Sequence, residues 1–339
     1  MGQFHFCGIT LSEADKIIRK NGFGDRNALK VVTNFYRRRI YEFSGMDNIP
    51  KSLREFLDSR YSPGLFKPVK SEKSGDKSEK HLFSGDSGKV FETVIIPDKK
   101  RKTVCVSTQS GCRMGCPFCL TGKAGFKGDL TSGEIINQVL SVPGSAEIDH
   151  IVFMGMGEPM DNLAEVLKAC EIITSGWGLS ISSRNVTVST VGITPEVRRF
   201  IDDTSCNLTL SLFSPFPDER MAVVPAEKLY PAAEIIEIMK VSPLLRKRRF
   251  SIAYVMIRDV NDTIRHLDGL IHLLEGSEIR VNILPYHEVS HDSFVSSPLL
   301  VMEAFKNSLL SKGISASIRK SRGADISAAC GLLATGLRQ

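Results

Sequence analysis

Apolar residues in the first 60 positions recur at intervals of three or four. The stretches "SEADKIIRK", "NALKVVTNFYRRRIY" and "PKSLREFLDSRY" follow this spacing, which is the period of an amphipathic helix. The next stretch, "KSEKSGDKSEK" (70–80), contains no apolar side chain, which is typical of an exposed linker or hairpin tip. The pattern therefore predicts a small helical module at residues 1–69, a linker or hairpin at 70–89 and a second domain at 90–339.

From about residue 90, short β-branched runs alternate with helical segments. Strands are predicted at "TVCVSTQ" (103–109), "HIVFMGMG" (150–157), "NVTVSTVG" (185–192), "NLTLSLF" (207–213), "FSIAYVMI" (250–257), "RVNILPYH" (280–287) and "ASIRK" (316–320). Helices are predicted between them near 131–142, 161–175, 195–203, 230–241, 261–275 and 298–312. Such alternation predicts an α/β fold in which crossover helices join parallel strands into a barrel or a partial barrel. Functional residues in these folds lie where strands end and loops begin.

The composition is that of an ordinary globular protein. Hydrophobic residues make up 42% of the 339 positions and charged residues 24%, and no apolar run approaches the roughly 18 residues of a membrane span. The N-terminus lacks a basic region followed by an apolar stretch, so we expect no signal peptide, no membrane and a cytoplasmic location. In that reducing compartment, the 8 cysteines predict ligands, catalysts or buried small side chains rather than a disulfide framework.

The net charge of +6 is concentrated near the N-terminus. Residues 1–70 hold 13 Lys and Arg against 7 Asp and Glu, an excess of 6 that equals the whole surplus. Within them, "FYRRRIYEF" (35–43) interleaves arginines with aromatic residues, a composition that suits RNA phosphates and stacked bases. For that stretch alone, a solvated helix face with buried aromatic side chains is the better interpretation.

Three cysteines directly follow the first predicted strand of the second domain. The segment "GCRMGCPFCLTG" (111–122) contains Cys112, Cys116 and Cys119. A structural zinc site usually has four protein ligands, and a four-iron cluster normally has four cysteines. Three thiolates therefore predict a cluster in which one iron is left to chelate a small molecule through an amine and a carboxylate. The alternative is a zinc site completed by a distant Cys or His.

The segment "MGMGEP" (154–159) ends the second predicted strand of this domain. Its two glycines permit a close approach of the backbone to a ligand. The carboxylate of Glu158 suits an ammonium group. The alternative is an ordinary strand-ending turn before a helix.

These motifs together carry a family resemblance. The C-x3-C-x2-C spacing resembles the signature of the radical S-adenosylmethionine (SAM) enzymes, and "MGMGEP" resembles the element with which they grip the methionine amine. With Cys105 in "CVSTQSGCRMGCPFC" and Cys330 in "GADISAACGLL", the chain resembles the RlmN/Cfr family of adenine RNA methyltransferases over about 240 residues, from 91 to 331. The resemblance implies a partial (β/α)6 barrel of the radical SAM type with a small N-terminal helical domain.

The resemblance also implies a mechanism. A 4Fe-4S cluster sits on the three clustered cysteines, and each turnover uses two SAM molecules. One methylates Cys330, and the other yields a 5′-deoxyadenosyl radical that takes a hydrogen from the new S-methyl group. The resulting carbon radical adds to the adenine ring, and Glu92 in "FETVIIP" accepts the ring proton. Cys105 then attacks the sulfur of Cys330, which frees the product and leaves a disulfide.

For SAM itself, the resemblance implies a pocket built at the strand ends from Gly157, Glu158, Ser189, Ser211, Leu212, Phe213 and His287. Two of these positions depart from the family. The chain has "SLF" where relatives have "SLH", and it has His287 where they have Asn. A phenylalanine side chain cannot hydrogen-bond, and histidine differs from an amide in shape and charge. Both changes bear on the grip on SAM, whereas the cluster loop and both catalytic cysteines are intact.

The resemblance implies an RNA substrate, namely 23S ribosomal RNA near the peptidyl-transferase centre and, for some relatives, transfer RNA. We expect methylation of adenine C2, a reductant such as flavodoxin or ferredoxin as a second partner, and a monomer. Two alternatives stay open. One is C8 methylation of ribosomal RNA, as in the Cfr type that confers antibiotic resistance. The other is a non-enzymatic RNA-binding protein that holds zinc or an iron–sulfur cluster.

Overall fold

The computed structural model describes residues 3–85, 87–98, 101–242, 248–288 and 294–333. Within these ranges the α-helices are α1 (Leu11–Lys20), α2 (Arg26–Tyr36), α3 (Lys51–Arg60), α4 (Leu120–Lys123), α5 (Ser132–Leu140), α6 (Leu163–Thr174), α7 (Thr194–Asp203), α8 (Pro217–Val223), α9 (Ala232–Val241), α10 (Ile264–Leu274) and α11 (Leu299–Ser311). The strands are β1 (Phe4–His5), β2 (Tyr61–Ser62), β3 (Lys70–Lys73), β4 (Glu79–Ser84), β5 (Val90–Asp98), β6 (Arg101–Cys105), β7 (Gln109–Ser110), β8 (Gly128–Asp129), β9 (His150–Phe153), β10 (Val186–Thr190), β11 (Asn207–Ser211), β12 (Phe250–Met256), β13 (Arg280–Pro285) and β14 (Ala316–Ile318). None of the helices described here has both the length and the apolar character needed to cross a bilayer.

A single large sheet forms the framework of the second domain. Its order is β14-β13-β12-β11-β10-β9-β6-β5-β4-β3. From β6 to β14 every neighbouring pair is parallel, and a helix follows each of these strands before the next one begins. Among the described strands, β14 and β3 are the two edges, so the barrel is open. The predicted α/β class and the partial barrel are confirmed.

The two faces of the parallel strands differ in polarity. The strand register aligns side chains of neighbouring strands, and residues two apart on one strand share a face. The face that carries Cys105 also carries Thr187, Ser189, Thr209, Ser211, Ser251, Asn282 and Ser317. The opposite face carries fully buried apolar side chains, which include Val104, Ile151, Val188, Leu208, Ile252 and Ile283. The helices therefore cover an apolar outer face, and the inner face lines a polar lumen.

The segment expected to be a linker or hairpin, 70–89, supplies two strands. Strand β3 pairs antiparallel with β4, and β4 pairs antiparallel with β5. Strand β3 consists only of Lys, Ser and Glu and is largely exposed, so it has no apolar face from which a pattern could be read. A charged edge strand also discourages pairing with another chain. The hairpin is thus an extension of the central sheet.

The arginine-rich segment 35–43 packs into the N-terminal module. Phe35 is fully buried, in agreement with the interpretation of buried aromatic side chains. Two of the arginines contact the second domain. Arg37 donates to the carbonyl of Gly176, and Arg39 donates to the hydroxyl and the carbonyl of Ser145 at 2.7 and 3.0 Å. These arginines therefore join the two parts of the chain.

A contact between two glycines fixes the N-terminal segment against α5. Gly8 has φ of +95°, and a Cβ atom placed there would lie 2.3 Å from the amide nitrogen of Gly133. The hydroxyl of Ser132 donates to the carbonyl of Gly8 at 3.1 Å. Position 8 is therefore restricted both by its left-handed backbone and by the neighbouring main chain.

We predict that Gly8→Ala destabilises the protein much more than Gly22→Ala. Gly22 also has a positive φ, +81°, but a Cβ atom there would meet nothing within 4 Å. Gly22→Ala should therefore cost only the backbone strain of about 1 kcal/mol. Gly8→Ala should cost at least about 2 kcal/mol more, because the backbone at Gly133 must move. Urea unfolding of both variants measures the difference, and equal losses would show that the contact does not matter.

Candidate active site

The cysteine loop begins just beyond β6 and is closed by backbone contacts. Strands β7 and β8 pair at its base. The amide of Cys112 donates to the carbonyl of Gly125 at 3.3 Å, and the amide of Cys119 donates to the carbonyl of Cys116 at 3.1 Å. A Cβ atom at Gly111 would overlap that same Gly125 carbonyl, at 1.7 Å. The glycine before the first cysteine is thus required for the loop to close.

The three predicted metal ligands share one cavity. Cys112, Cys116 and Cys119 all line it. Burial raises the pKa of the Cys112 and Cys116 thiols to about 12, so as free thiols they are protonated at neutral pH, and a metal centre would displace their protons. Within the described residues, no group of three or more His, Cys, Asp or Glu side chains could hold a single metal ion. A four-iron cluster is larger than one ion and takes each thiolate on a different iron, so three thiols around shared space fit the 4Fe-4S cluster implied by the sequence.

Glu158 is a buried carboxylate at the edge of the same cavity. One of its oxygens accepts hydrogen bonds from the Thr190 hydroxyl at 2.6 Å and the Met160 amide at 3.0 Å, and the other accepts from the Val191 amide at 2.9 Å. Burial nevertheless raises the pKa of Glu158 to about 7. A carboxylate held in this way is well placed to gain from a ligand ammonium group.

The two glycines of "MGMGEP" are also required by the packing of the protein chain itself. A Cβ atom at Gly155 would lie 2.8 Å from the carbonyl of Val106, and one at Gly157 would lie 2.5 Å from the Cβ of Gln109. Backbone hydrogen bonds join these segments, for example from Gly155 to Val106 at 3.1 Å. The glycines admit the chain that leads into the cysteine loop, although both also line the cavity.

The other predicted SAM-pocket residues come from the ends of β10, β11 and β13. The hydroxyls of Ser189 and Ser211 lie 3.3 Å apart, and both line the cavity together with His287. Burial lowers the pKa of His287, and its Nε2 lies 3.1 Å from the hydroxyl of Ser321. Leu212 is instead a core residue outside the cavity wall.

Phe213 contacts the cysteine loop directly. Its ring stacks on that of Phe118, with centroids 5.5 Å apart and an interplanar angle of 15°. Phe118 lies between two of the cluster cysteines in sequence. Phe213 also has a positive φ of +68°, and its carbonyl accepts a hydrogen bond from Asn261 at 2.8 Å. The residue that departs from the family pattern therefore packs against the loop that bears the predicted metal ligands.

Cys105 and Cys330 come from opposite ends of the domain and meet beside the cluster loop. Cys105 ends β6 and is buried, and Cys330 lines the cavity. Burial and the nearby Cys330 thiol raise the pKa of Cys105. Burial and the nearby Cys119 thiol raise the pKa of Cys330. Cys330 is therefore within electrostatic reach of both the predicted resolving cysteine and a predicted metal ligand.

Glu92 lies on β5 on the same side of the sheet as Cys105. Val94 is directly opposite Cys105 in the antiparallel pair, and Glu92 is two residues from Val94, so the three side chains share a face. Glu92 is buried, and its carboxylate lies 3.6 Å from Nζ of Lys80. Glu92 and Cys105 both lie outside the cavity wall itself, on the lumen face next to it.

The sequence interpretation missed Arg220. This residue is 1% exposed, and its Nη1 pairs with the carboxylate of Glu227. Its Nε donates to the carbonyl of Leu212 at 2.8 Å, and its Nη2 donates to the carbonyls of Ser211 and Val191. Arg220 lies in the short helix α8. An arginine normally indicates an exposed residue, so nothing in the local sequence pointed to this role.

Comparison with known proteins agrees with this geometry. The model of the radical SAM superfamily matches residues 106–271. The chain is 40% identical to the "Probable dual-specificity RNA methyltransferase RlmN" of Parabacteroides distasonis, over 97% of this chain and 96% of that protein. It is 36% identical to the protein of the same name from Bacteroides fragilis, over 100% of this chain and 98% of that protein. A radical SAM methyltransferase from Sphaerobacter thermophilus has a similar structure, with a TM-score of 0.88 and 33% identity over 97% and 99% of the two chains.

We predict that Glu158→Gln changes how stability depends on pH. The folded protein keeps a proton on Glu158 up to a pKa of about 7, whereas the unfolded chain releases it near the ordinary value of 4.5. The stability of the wild type should therefore fall by up to about 3 kcal/mol as the pH rises from 4.5 to 7, and then level off. Glutamine does not ionise, so the variant should lack this decline.

Urea unfolding of the metal-free protein at pH 5 and pH 8 measures both proteins. The free energies of unfolding of the wild type and of Glu158→Gln also differ by an amount that does not depend on pH. The reason is that the glutamine side chain cannot accept all three hydrogen bonds that the carboxylate accepts. Only the change of the difference with pH tests the buried carboxylate. The same pH dependence in both proteins would contradict it.

Proposed function

The chain belongs to the RlmN family of radical SAM RNA methyltransferases, and we propose that it methylates carbon 2 of an adenine in 23S ribosomal RNA and in transfer RNA. The observation that carries the proposal is the position of Cys330. Cys330 lines the same cavity as the three predicted cluster cysteines, and its thiol is near enough to Cys105 to raise the pKa of that thiol. This is the arrangement needed to pass a methyl group from a sulfur to a ring carbon and then to free that sulfur.

Each part of the cavity has a role in this proposal. Cys112, Cys116 and Cys119 would hold the 4Fe-4S cluster, and Glu158 would bind the ammonium group of SAM. When bound there, the cluster and SAM would supply the one-electron chemistry that an electron-poor adenine carbon requires. Ser189 and Ser211 offer hydroxyls to the same ligand.

The protein groups then act in sequence. Cys330 accepts a methyl group and presents it to the adenine. Glu92 takes the proton from the ring carbon, and the neighbouring Lys80 compensates the charge of this buried carboxylate. Cys105, as a thiolate, then attacks the sulfur of Cys330. The S–S bond forms as the bond between that sulfur and the transferred carbon breaks, and this carbon takes up a proton to complete the methyl group of the released base.

The charge of the lumen supports an RNA substrate. Desolvation and the like charges of Arg101 and Arg249 lower the pKa of Arg319, so the three arginines lie near one another. The nearby Cys330 thiol instead raises the pKa of Arg319. Clustered guanidinium groups bind phosphates, and one member of the cluster, Arg319, is within electrostatic reach of the Cys330 thiol. Such a cluster would hold the phosphates that flank the target nucleotide.

The proposal keeps the division of the chain into an RNA-binding module at 1–69, a linker or hairpin at 70–89 and a methyltransferase domain at 90–339. The N-terminal module contributes the excess of positive charge. The protein would act as a monomer in the cytoplasm, where its RNA substrates lie. A small electron carrier such as flavodoxin or ferredoxin would reduce the cluster.

Nucleoside mass spectrometry tests the reaction. RNA from a host that lacks adenine methyltransferases of this family is incubated anaerobically with reconstituted protein, SAM and a reductant. The expected product is 2-methyladenosine, which chromatography separates from 8-methyladenosine. The 8-methyl isomer would assign the chain to the Cfr type of reaction. Absence of any methyladenosine, from protein that holds its cluster and cleaves SAM, would refute the proposal.

We predict opposite failures for the two catalytic cysteines. Cys330→Ala should abolish methylation, because no sulfur carries the methyl group. Cys105→Ala should form the bond between Cys330 and the adenine but fail to release it. A covalent protein–RNA adduct should then appear on a denaturing gel. Cys170→Ala, at a buried cysteine of α6, is the matched control and should methylate RNA normally. Methylation by Cys330→Ala would exclude this mechanism.

A further inference from the structure

The tip of the β3–β4 hairpin contacts the segment that carries Cys330. We call residues 74–78 the hairpin tip and residues 323–330 the Cys330 loop. About 250 positions separate the two in sequence. The hairpin tip contains no residue to which the proposed mechanism assigns a role, yet its polar groups are directed at the Cys330 loop.

Two aspartates make reciprocal hydrogen bonds across this contact. Asp325 of the Cys330 loop accepts from the hydroxyl of Ser74 at 2.6 Å and from the amide of Gly75 at 3.1 Å. Asp76 of the hairpin tip accepts from the amide of Gly323 at 2.9 Å. Each segment thus supplies a carboxylate to backbone or hydroxyl donors of the other. Hydrogen bonds to a charged acceptor are stronger than those between neutral groups.

The backbone of the Cys330 loop is tightly wound against the tip. Gly323 has φ of +63°, and a Cβ atom there would lie 2.8 Å from the Cβ of Ala328 and 3.4 Å from the Cβ of Ser78. The amide of Ala328 donates to the carbonyl of Gly323 at 2.8 Å. Ser327 also has a left-handed backbone, with φ of +52°. A conformation with this strain persists only where its surroundings enforce it.

The other end of the loop is fixed to the cysteine loop. The amide of Leu120, the first residue of α4, donates to the carbonyl of Gly331 at 2.8 Å. The hydroxyl of Thr121 donates to the carbonyl of Leu333 at 2.6 Å. Cys119, a predicted metal ligand, directly precedes α4. Cys330 is therefore held between the hairpin tip on one side and the cluster loop on the other.

We propose that the hairpin tip is a positioning element for Cys330, and that Asp76 and Asp325 are the positioning residues. The inference rests on the proposed role of Cys330, whose sulfur must meet a methyl donor, an adenine carbon and Cys105 in turn. A thiol on a loop anchored at one end only would spread over a larger volume, and reaction rates fall steeply with such misplacement. The tip supplies the second anchor.

Both carboxylates are ionised when the enzyme works. Hydrogen bonds from the backbone of Ser78 and Gly323 outweigh desolvation and lower the pKa of Asp76 to about 2. The Ser74 hydroxyl and the Gly75 amide lower the pKa of Asp325. Both acceptors of the contact therefore stay charged at neutral pH, and the contact does not change with pH in that range.

The first experiment measures the reactivity of Cys330 in the full-length, metal-free protein. Iodoacetamide alkylates the thiols, and mass spectrometry follows Cys330 alone. Cys330 is already an exposed residue that lines the cavity, so the effect must come from the mobility of its loop. Asp325→Ala and Asp76→Ala should each increase its rate of alkylation by about tenfold, because a released loop lets the thiol leave the cavity wall more often. Asp325→Asn keeps one acceptor oxygen and should give a smaller increase.

Lys73→Ala is the matched control. Lys73 lies on the same hairpin and pairs with Glu79 at 3.0 Å, without a contact to the Cys330 loop. This variant should alkylate at the wild-type rate. Ser74→Ala removes a single hydroxyl from the tip and serves if Asp325→Ala does not fold. It should show an increase in the same direction.

The second experiment uses the reconstituted enzyme and counts methyladenosine against 5′-deoxyadenosine. A displaced Cys330 should leave SAM cleavage intact, but fewer cleavage events should lead to methylation of RNA. The yield of methyladenosine per 5′-deoxyadenosine should therefore fall several-fold in Asp325→Ala. A residue that only stabilised the fold would lower both products together. The ratio therefore separates positioning from stability.

The outcomes distinguish this inference from the proposed function. If Cys330→Ala abolishes methylation while both aspartate variants keep the wild-type alkylation rate and product ratio, the positioning role is refuted and the proposed function stands. If Cys330→Ala retains methylation, the proposed function itself is refuted. Faster alkylation together with a lower product ratio in the aspartate variants, but not in Lys73→Ala, supports the inference.

Discussion

The buried guanidinium of Arg220 is the interaction on which the cavity depends. It donates to the main chain at the carboxyl ends of β10 and β11 and pairs with Glu227. Glu227 in turn accepts from the amide of Ala232, at the start of α9. A buried charge is tolerated only where it is paired and its hydrogens are satisfied. If the strand ends moved apart, the guanidinium would lose its hydrogen-bond partners while it remained buried in an apolar interior.

This constraint passes directly to the predicted SAM pocket. The amide of Val191 donates to Glu158 while its carbonyl accepts from Arg220. Glu158, Val191 and Arg220 thus form one chain of hydrogen bonds across two strand ends. The same arginine fixes the carbonyl of Leu212, next to Phe213, whose ring packs on the cysteine loop. The metal loop and the ligand pocket are therefore supported by a common buried network.

Phe213 and His287 are the two positions at which the resemblance implied a different residue. The ring of Phe213 stacks on Phe118, which lies between two predicted cluster cysteines in sequence. Apolar stacking stabilises the loop by burial rather than by a directed polar contact. At position 287 the chain has an imidazole whose pKa is lowered by burial. It keeps a polar contact with Ser321, so the pocket retains hydrogen-bonding capacity at that strand end.

The sequence by itself determined the order of the main barrel elements and the candidate reactive groups. Apolar and polar positions repeat with the periods of helices and strands. Strands β9 to β14 therefore lie where the pattern predicted, as do the helices between them except the short α8, which was not predicted. Cys112, Cys116, Cys119 and Glu158 were singled out because their proposed chemistry is carried by short local motifs. The segment 70–89 was predicted only as a linker or hairpin, because edge strand β3 has no apolar side to produce a period.

Only the tertiary structure decided which distant groups meet. Nothing in the sequence indicated that Arg220 is buried, and its burial follows from carbonyl groups on two strand ends that no local pattern brings together. Asp76 and Asp325 are ordinary polar turn residues in sequence, yet they hydrogen-bond across the contact with the loop that carries Cys330. The glycines of "MGMGEP" also admit the chain packed against them, a requirement that their motif does not reveal. Local periodicity records which face of an element is buried, whereas contacts between remote segments are set by the packing of the whole sheet.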